Sequence, residues 1–345
     1  MLTPTYEDEV TSSFDFYVKM IQRYAYPIMV VIGLFGNTLS FIILSMPSNR
    51  KNIMGFYLRV LAVCDTFALN FFLVPRWVFN VWPVYLKNAS LGSFACILHY
   101  YVSFTFCPTS NSLILLIALD RFLVVRFPLK APQWCTMKKA KILVAIDLIV
   151  HILIYIPNVL RTASKDENGY YVICGMPPGA SWYIFGFKIV NALDVAIPMG
   201  SLFFINVAII LTLRKHSAGL KDSTGGKGSK RSKQERSLTV MLLIVALSLM
   251  LFILPYTLDF IAWDIFLTGR LAREPSLKHL RSFTYEIGFA LSQLNNSLNF
   301  FMYLASSQKF RKDIHRLFSG KLGSFMSLTT SSTTGPKSTN VHSTQ

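Results

Sequence analysis

The chain has 345 residues, of which 52% are hydrophobic and only 15% are charged, and it carries a net charge of +17. A soluble domain of this length has about a quarter charged residues, so much of this surface must face something other than water. The basic residues fall in short gaps between long apolar runs, not on one folded face, so we predict a membrane protein with no nucleic-acid partner.

Seven apolar segments are each long enough to cross the ~30 Å hydrocarbon core of a bilayer as a helix. A helix satisfies its own backbone hydrogen bonds, which lipid cannot do. The predicted spans are 24–47, 56–81, 95–127, 139–160, 184–213, 237–264 and 283–305. We therefore predict an all-α membrane protein whose residues 24–305 form a bundle of seven transmembrane helices.

The basic residues also predict the orientation of the bundle, because short cytoplasmic segments carry an excess of Lys and Arg. The segments after spans one, three, five and seven are basic, whereas the amino-terminal segment 1–23 is mainly acidic. We expect segment 1–23 to lie outside the cell, with the chain in the plasma membrane and its carboxyl terminus in the cytoplasm. The basic loop between spans six and seven is the exception to this pattern.

Three segments outside the spans have distinctive compositions. Residues 217–234 are rich in Gly, Ser and Lys, which predicts a flexible third cytoplasmic loop. Residues 306–319 place apolar side chains on one helical face and bases elsewhere, which predicts a short amphipathic helix in contact with membrane lipid. Residues 320–345 are dense in Ser and Thr and poor in apolar residues, so we expect a disordered cytoplasmic tail.

The run 120–129 (DRFLVVRFPL) ends span three and contains Asp120–Arg121 followed by Phe122. On its own, the charged pair is equally explained as flanking charges that reach the membrane interface. The whole run resembles the DRY and PL elements of rhodopsin-like G protein-coupled receptors, with Phe122 in place of Tyr. The resemblance implies that the acid holds Arg121 in the inactive state and that a heterotrimeric G protein meets Arg121 in the active state. It also implies a second partner for Arg121 at Glu235, which is equally explained as a solvated residue.

Other motifs of this family occur in the right order and at the right spacing. They are GN at 36–37, LAVCD at 61–65, FILPY at 252–256 and NFFMY at 299–303. Ile253 replaces the Trp of the family's CWxP element, and Phe300 replaces the Pro of its NPxxY element. The last run implies that Asn299 and Tyr303 belong to the G protein switch.

A carboxylate in the middle of span two is costly in a membrane, which makes Asp65 a functional candidate. The resemblance places Ser110, Asn295 and Asn299 around it as ligands of an allosteric sodium ion, and oxygen ligands from three helices suit a hard cation. A purely structural polar network is the alternative. No other cofactor is expected.

Two covalent features are expected on the outer side. The resemblance pairs Cys96, which lies near the start of span three, with Cys174 of the second outer loop in a disulfide, as the oxidising side of the membrane permits. Asn88 begins an Asn-Ala-Ser glycosylation sequence in a predicted outer loop, and it is usable only if it clears the membrane.

The resemblance excludes some ligands. Ser103 stands where monoamine receptors carry an Asp, and Gln293 stands where light-sensing relatives need a Lys. Aromatic side chains with a few charges in the outer half of the bundle suit a peptide, although such aromatics also mark the membrane interface. The candidate ligand-binding residues are Arg76, Trp82, Tyr100, Ser103, Phe104, Asp259, Trp263, Tyr285, Glu286 and Gln293.

We therefore expect a receptor and not an enzyme. It would bind an extracellular ligand, most simply a neuropeptide, and activate a heterotrimeric G protein, in the manner of neuropeptide receptors such as the FMRFamide-receptor-like group. Phosphorylation of tail Ser and Thr residues by a receptor kinase would create a site for arrestin. The alternatives are a chemosensory, lipid or small-molecule receptor of the same fold, or a transporter. A transporter is disfavoured because the chain has no internal repeat and its intramembrane carboxylates are scattered.

Overall fold

The structure, a computed structural model, describes residues 6–81, 89–165, 171–175, 181–219, 229–266 and 275–319. Seven long helices, α1 to α7, and a shorter helix, α8, make up most of this part of the chain. Helix α1 comprises Tyr6–Met20, the π-helical turn Ile21–Ala25 and Tyr26–Ser45, and α2 is Ile53–Val81. Helix α3 comprises Ala89–Ile97, the π-helical turn Leu98–Val102 and Ser103–Arg126. Helix α4 is Met137–Tyr155 and is followed by the 3-10 turn Ile156–Leu160. Helix α5 is Ser181–Gly219, α6 is Ser229–Phe260 with the π-helical turn Ile261–Phe266, α7 is Pro275–Ser306 and α8 is Gln308–Phe318.

Six of these helices contain stretches long and apolar enough to cross a membrane. The stretches are Ser13–Ser45, Ile53–Val78, Gly92–Arg126, Met137–Leu160, Ala192–Lys215 and Thr239–Trp263. Their outward surfaces are apolar as well: Ile28, Phe204 and Leu251 are each more than half exposed. So much exposed apolar surface is unfavourable in water and is normal in lipid. The chain is a multi-pass membrane protein.

Helix α7 is the seventh member of the bundle although it is less apolar than the other six. Four of its amide side chains are each 1% exposed or less, namely Gln293, Asn295, Asn296 and Asn299. The helix packs against α6, α1 and α2, and the Asn37 side chain of α1 donates a hydrogen bond to the Asn296 carbonyl over 3.1 Å. Neighbouring helices thus supply hydrogen bonds that lipid cannot. The predicted all-α bundle of seven helices is confirmed.

The amino-terminal ends of α1 and α7 extend well beyond their predicted starts at residues 24 and 283. Residues 6–23, expected only to be an extracellular segment, continue α1 as a helix. The two extensions pack against each other: the rings of Phe14 and Phe283 stack at 5.2 Å, and His279 Nδ1 lies 2.9 Å from Asp15 Oδ1. Packing against each other therefore stabilises both extensions as helices.

A small β-hairpin contains the strands found within the described residues. Strand β1 (Thr162–Lys165) pairs antiparallel with β2 (Tyr171–Gly175), with Ala163 opposite Cys174. The hairpin follows α4, and Cys174 forms a disulfide with Cys96 of α3. The expected disulfide is thus present, and it fastens the hairpin to the bundle.

The opposite end of the bundle carries the short helices Pro47–Arg50 and Ala131–Trp134 and the predicted amphipathic helix α8. The Ser307 hydroxyl caps α8 by accepting a hydrogen bond from the Phe310 amide over 3.2 Å. The Phe310 ring is buried against Phe300 and Tyr303 of α7. Of the predicted flexible loop 217–234, residues 217–219 and 229–234 are helical, and 220–228 lie outside the described residues. The tail 320–345 also lies outside them.

Candidate functional site

The centre of the bundle holds a buried polar cluster around Asp65, which is fully buried. Ser110 of α3 donates a hydrogen bond to Asp65 Oδ1, and Asn299 Nδ2 of α7 donates to Oδ2 over 2.7 Å. The structure therefore joins three of the four predicted sodium ligands across three helices. Asn295 is also fully buried, and neither polar atom of its side chain has a hydrogen-bond partner among the described residues.

The predicted G protein switch lies at the end of α3. Arg121 Nη2 forms an ion pair with Asp120 Oδ2 at 3.0 Å, and both side chains are buried. Phe122 makes an edge contact with the Phe127 ring, and Tyr303 is buried against α8. Burial of a guanidinium requires a compensating acid, and Asp120 supplies one. The backbone of Glu235 belongs to α6, but its side chain lies outside the described part of the structure.

Two of the predicted ligand-binding residues, Arg76 and Glu286, pair with each other. Arg76 Nη1 lies 3.4 Å from Glu286 Oε2, and Tyr26 of α1 donates a hydrogen bond to Glu286 Oε1. The Arg76 guanidinium also donates to the Tyr285 hydroxyl over 3.0 Å and lies over the Phe289 ring at 4.1 Å. Glu286 is only 3% exposed. These two charges therefore neutralise each other where α1, α2 and α7 meet.

A second polar group joins α6 to α7 at predicted ligand-binding positions. The Thr284 hydroxyl donates to Asp259 Oδ1 over 2.5 Å, and the Trp263 indole donates to the Thr284 hydroxyl over 3.1 Å. All of these atoms belong to largely buried side chains. Asp259 and Trp263 thus connect the outer parts of two neighbouring helices.

A cavity opens between α2, α3, α5, α6 and α7. It is lined by Phe72, Phe104, Cys107, Pro108, Asn111, Asp194, Val195, Ile253, Tyr256, Phe289, Ser292 and Gln293. Of the predicted ligand-binding residues, Phe104 and Gln293 line this cavity. Tyr100 stacks parallel to the Phe104 ring at 6.1 Å, and Ser103 is fully buried. Trp82 and the possible glycosylation site Asn88 lie outside the described residues.

The sequence profile of the family "7 transmembrane receptor (rhodopsin family)" matches residues 36–303, which is most of the chain. The chain belongs to the rhodopsin family of seven-transmembrane receptors. It is therefore a receptor, and this family is not enzymatic.

Relatives of this receptor include the FMRFamide peptide receptor frpr-18 of Caenorhabditis elegans, which is 25% identical over 299 residues, covering 83% of this chain and 66% of that protein. The somatostatin receptor type 5 of Rattus norvegicus is 26% identical over 83% of this chain and 76% of its own. The B1 bradykinin receptor of Macaca fascicularis is 25% identical over 83% and 79%. The expected resemblance to FMRFamide receptors is thus confirmed. The somatostatin and bradykinin receptors are similar to this chain at about the same sequence identity.

The receptor departs from its family's motifs at two buried positions. Ile253 stands where the CWxP element has Trp, and this smaller side chain lines the cavity. Phe300 stands where the NPxxY element has Pro, and α7 runs through this position as an α-helix. Because Phe300 has a backbone N–H that Pro lacks, the helix needs no interruption there.

The remaining cysteines of the receptor, Cys64, Cys107 and Cys135, are free thiols. Cys135 lies outside the spans, just before α4. Burial, together with the nearby Asp120 carboxylate, raises the pKa of the Cys135 thiol to about 11. This thiol is therefore protonated and weakly nucleophilic at neutral pH.

Sequence reasoning missed several residues that line the cavity, among them Asp194, Asn111 and Tyr256. Only Asp194 had a usable signal, because an ionisable residue within a span is costly and usually functional. The sequence contains other such carboxylates, among them Asp65, Asp147, Asp259 and Glu286. Which of them faces a cavity depends on helix packing.

Proposed function

We propose that the receptor lies in the plasma membrane with its amino terminus outside, binds an extracellular peptide in the cavity, and activates a heterotrimeric G protein in the cytoplasm. The observation that carries this proposal is that α3 contributes both to the cavity and to the buried Asp120–Arg121 pair. Phe104 lines the cavity, and Arg121 lies about 25 Å further along the same helix. One rigid element therefore connects the candidate ligand site to the candidate switch.

A ligand in the cavity acts by shifting an equilibrium between two arrangements of the helices. It can do so only if it binds one arrangement more tightly than the other. The cavity is bounded by α2, α3, α5, α6 and α7, so a ligand in it contacts the helices whose relative positions would change. In the active arrangement, the cytoplasmic end of α6 moves outward and Arg121 leaves Asp120 for the G protein. A guanidinium suits this role because it can exchange one hydrogen-bonded partner for another.

A peptide is the ligand class that the observations support best. One relative is named as an FMRFamide peptide receptor, and others are named for somatostatin and bradykinin. The cavity combines aromatic rings with hydroxyl and amide groups, which suit apolar side chains and peptide groups respectively. A chemosensory, lipid or other small-molecule ligand is the alternative within the same fold.

An allosteric sodium ion belongs to the same proposal. Asp65 would supply the charge, and Ser110, Asn295 and Asn299 would supply neutral oxygens. The orphaned oxygens support the fit: Oδ1 of Asn295 and Oδ1 of Asn299 are buried and accept no hydrogen bond from any described residue. A hard cation coordinated by these atoms would satisfy them.

The other expected partners act on the cytoplasmic side. A receptor kinase would phosphorylate Ser and Thr residues in the tail 320–345, and arrestin would bind the added negative charge. Helix α8 would rest on membrane lipid through its apolar face. On the outer side, Asn88 would carry a glycan if the sequence around it clears the bilayer.

A peptide-library screen tests the ligand class. Cells would express the receptor with a promiscuous G protein and a calcium indicator, and an antibody to an epitope would measure receptor on the surface. We expect peptides to produce calcium signals that are absent from cells lacking the receptor. Silence to peptides at normal surface expression, with a response to lipids or small organic molecules, would replace the peptide ligand with the alternative.

A further inference from the structure

The cavity contains one charged side chain among the described residues that line it, Asp194 of α5. The other lining groups are aromatic or aliphatic side chains, a thiol, a hydroxyl and two amides. A carboxylate among such groups is poorly solvated, and its charge is worth more to a partner there than in water. Asp194 therefore dominates the electrostatic character of the cavity.

Asp194 has little compensation from the protein. Its Oδ2 accepts a hydrogen bond from the Tyr155 hydroxyl of α4 at 2.5 Å, and none of the described ion pairs includes it. His151 interacts electrostatically with Asp194, and its ring contacts the Asp147 carboxylate at 3.6 Å. A neutral hydroxyl donor orients the Asp194 carboxylate without neutralising it.

The other intramembrane carboxylates are held differently. Asp65 accepts hydrogen bonds from Ser110 and Asn299, and Asp147 accepts one from Ser112 at 2.7 Å. Neither of these acids lines the cavity. Glu286, the acid expected to meet the ligand, is already paired with Arg76. Asp194 is therefore the acid that remains available within the described part of the cavity.

We propose that Asp194 is the counter-ion for a cationic group of the ligand, such as an arginine or lysine side chain, next to an aromatic or aliphatic group. This inference rests on the proposed peptide-receptor function. The cation would form a charge-assisted hydrogen bond with the Asp194 carboxylate. The neighbouring apolar group would pack on Phe104 and Phe289, whose rings line the same cavity. The faces of such rings also attract a cation.

Two matched peptide pools test this assignment on the intact receptor in cells. One pool consists of random hexapeptides with arginine fixed at one position, and the other has citrulline, which has a similar shape but no charge. We expect the wild-type receptor to respond to the arginine pool and to respond at least ten-fold more weakly to the citrulline pool. The substitution Asp194→Asn should lower the potency of the arginine pool by about 100-fold, because it removes one partner of a desolvated charge pair.

A matched control separates loss of the charge pair from general damage. Asp313→Asn removes another buried carboxylate, on α8, that does not line the cavity, so it should leave the potency of the arginine pool within about two-fold. Surface receptor is measured for each variant with an antibody to an epitope placed before residue 6. The comparison of the two pools on the wild-type receptor needs no variant, so it can still overturn the counter-ion role if Asp194→Asn fails to reach the surface.

The possible outcomes are distinguishable. Equal responses of the wild-type receptor to both pools would overturn the role of Asp194 and leave the peptide-receptor function intact. An equal loss with Asp194→Asn and with Asp313→Asn would assign the effect to folding and overturn the counter-ion role. Silence to both pools, with receptor present at the surface, would overturn the peptide ligand and the counter-ion together.

Discussion

The Arg76–Glu286 pair illustrates how a single contact changes the interpretation of two residues. Each was a candidate for binding a charged end of the ligand, yet each is the other's counter-ion at 3.4 Å, with Tyr26 and Tyr285 completing the network. A ligand that engaged either charge would first have to separate the pair. The more economical interpretation is that the pair holds α2 against α7.

Substitution of one partner should therefore destabilise the receptor more than substitution of both. Glu286→Gln leaves Arg76 without its acid, and we expect a loss of about 3 kcal/mol in unfolding free energy. The double substitution Arg76→Gln with Glu286→Gln should recover much of this loss. The measurement is the Tm of the detergent-solubilised receptor. Asp15→Asn is the control, because the side chains of the Asp15–His279 pair are nearly half exposed. A double variant no more stable than Glu286→Gln would contradict the pairing of Arg76 with Glu286.

The Ile253 side chain lines the cavity at the position where the family's CWxP element has Trp. Ile253→Trp restores the residue typical of the family's motif and inserts an indole into the cavity lining. Overpacking of this kind costs about 1–3 kcal/mol, so we expect an activating peptide to lose roughly ten-fold or more in potency. Leu254→Trp is the control, since Leu254 is 45% exposed on the outward face of the same helix. Equal potency of Ile253→Trp and wild type would place the ligand elsewhere.

The proposed sodium site around Asp65 can be tested without knowing the receptor's ligand. Sodium that binds the folded receptor alone must raise its stability. The purified wild-type receptor should have a higher Tm in sodium chloride than in choline chloride, and Asp65→Asn should abolish the difference. Asp147→Asn should preserve it, because Asp147 lies outside the cluster. If the wild-type receptor melts at one temperature in both salts, the cluster is a structural network only.

At the level of whole elements, individual contacts that hold α8 in place can be tested one at a time. The Ser307 hydroxyl caps its first turn, and Asn49 donates a hydrogen bond to the buried Asp313 over 3.0 Å. Ser307→Ala should cost about 1 kcal/mol of local stability and should speed amide hydrogen exchange in residues 308–318. Ser319→Ala, at the other end of the helix, is the control. Unchanged exchange with Ser307→Ala would mean that packing of Phe310 alone maintains the helix.

The positions of the helices could be predicted from sequence because their length and apolarity reflect a local requirement of the bilayer. The hairpin β1–β2 could not be predicted, because two strands of four and five residues carry little local signal and an isolated two-stranded hairpin is only marginally stable. It is joined to α3 by the Cys96–Cys174 disulfide. The extensions of α1 and α7 escaped prediction for a similar reason. Their helicity depends on mutual contacts such as that of Phe14 with Phe283.

The same distinction between local sequence signals and tertiary contacts applies to the candidate site. Residues within motifs, such as Asp65 and Arg121, could be assigned from the sequence because their spacing carries the information. Asp194 and the Arg76–Glu286 pair could not be assigned in the same way. Whether a carboxylate faces a cavity, a hydroxyl or a base depends on how neighbouring helices rotate against one another, and spacing along one helix does not determine that rotation.

For the molecule as a whole, the orientation in the membrane is the assumption on which every functional assignment depends. The disulfide Cys96–Cys174 and the Asp120–Arg121 pair lie toward opposite ends of α3. On unpermeabilised cells, we expect an antibody to detect an epitope before residue 6 and to miss one after residue 345. Detection of both epitopes would refute this topology. Permeabilised cells, in which both should be detected, provide the control.

The contact between the outer ends of α1 and α7 has a practical consequence for hybrid receptors. Residues 6–20 and 275–283 share the Phe14–Phe283 stack and the Asp15–His279 contact, so neither segment is complete without the other. A graft that exchanges only the amino-terminal segment with that of a relative would leave mismatched surfaces at both ends of the chain. The two segments, remote in sequence, should be transplanted as one unit.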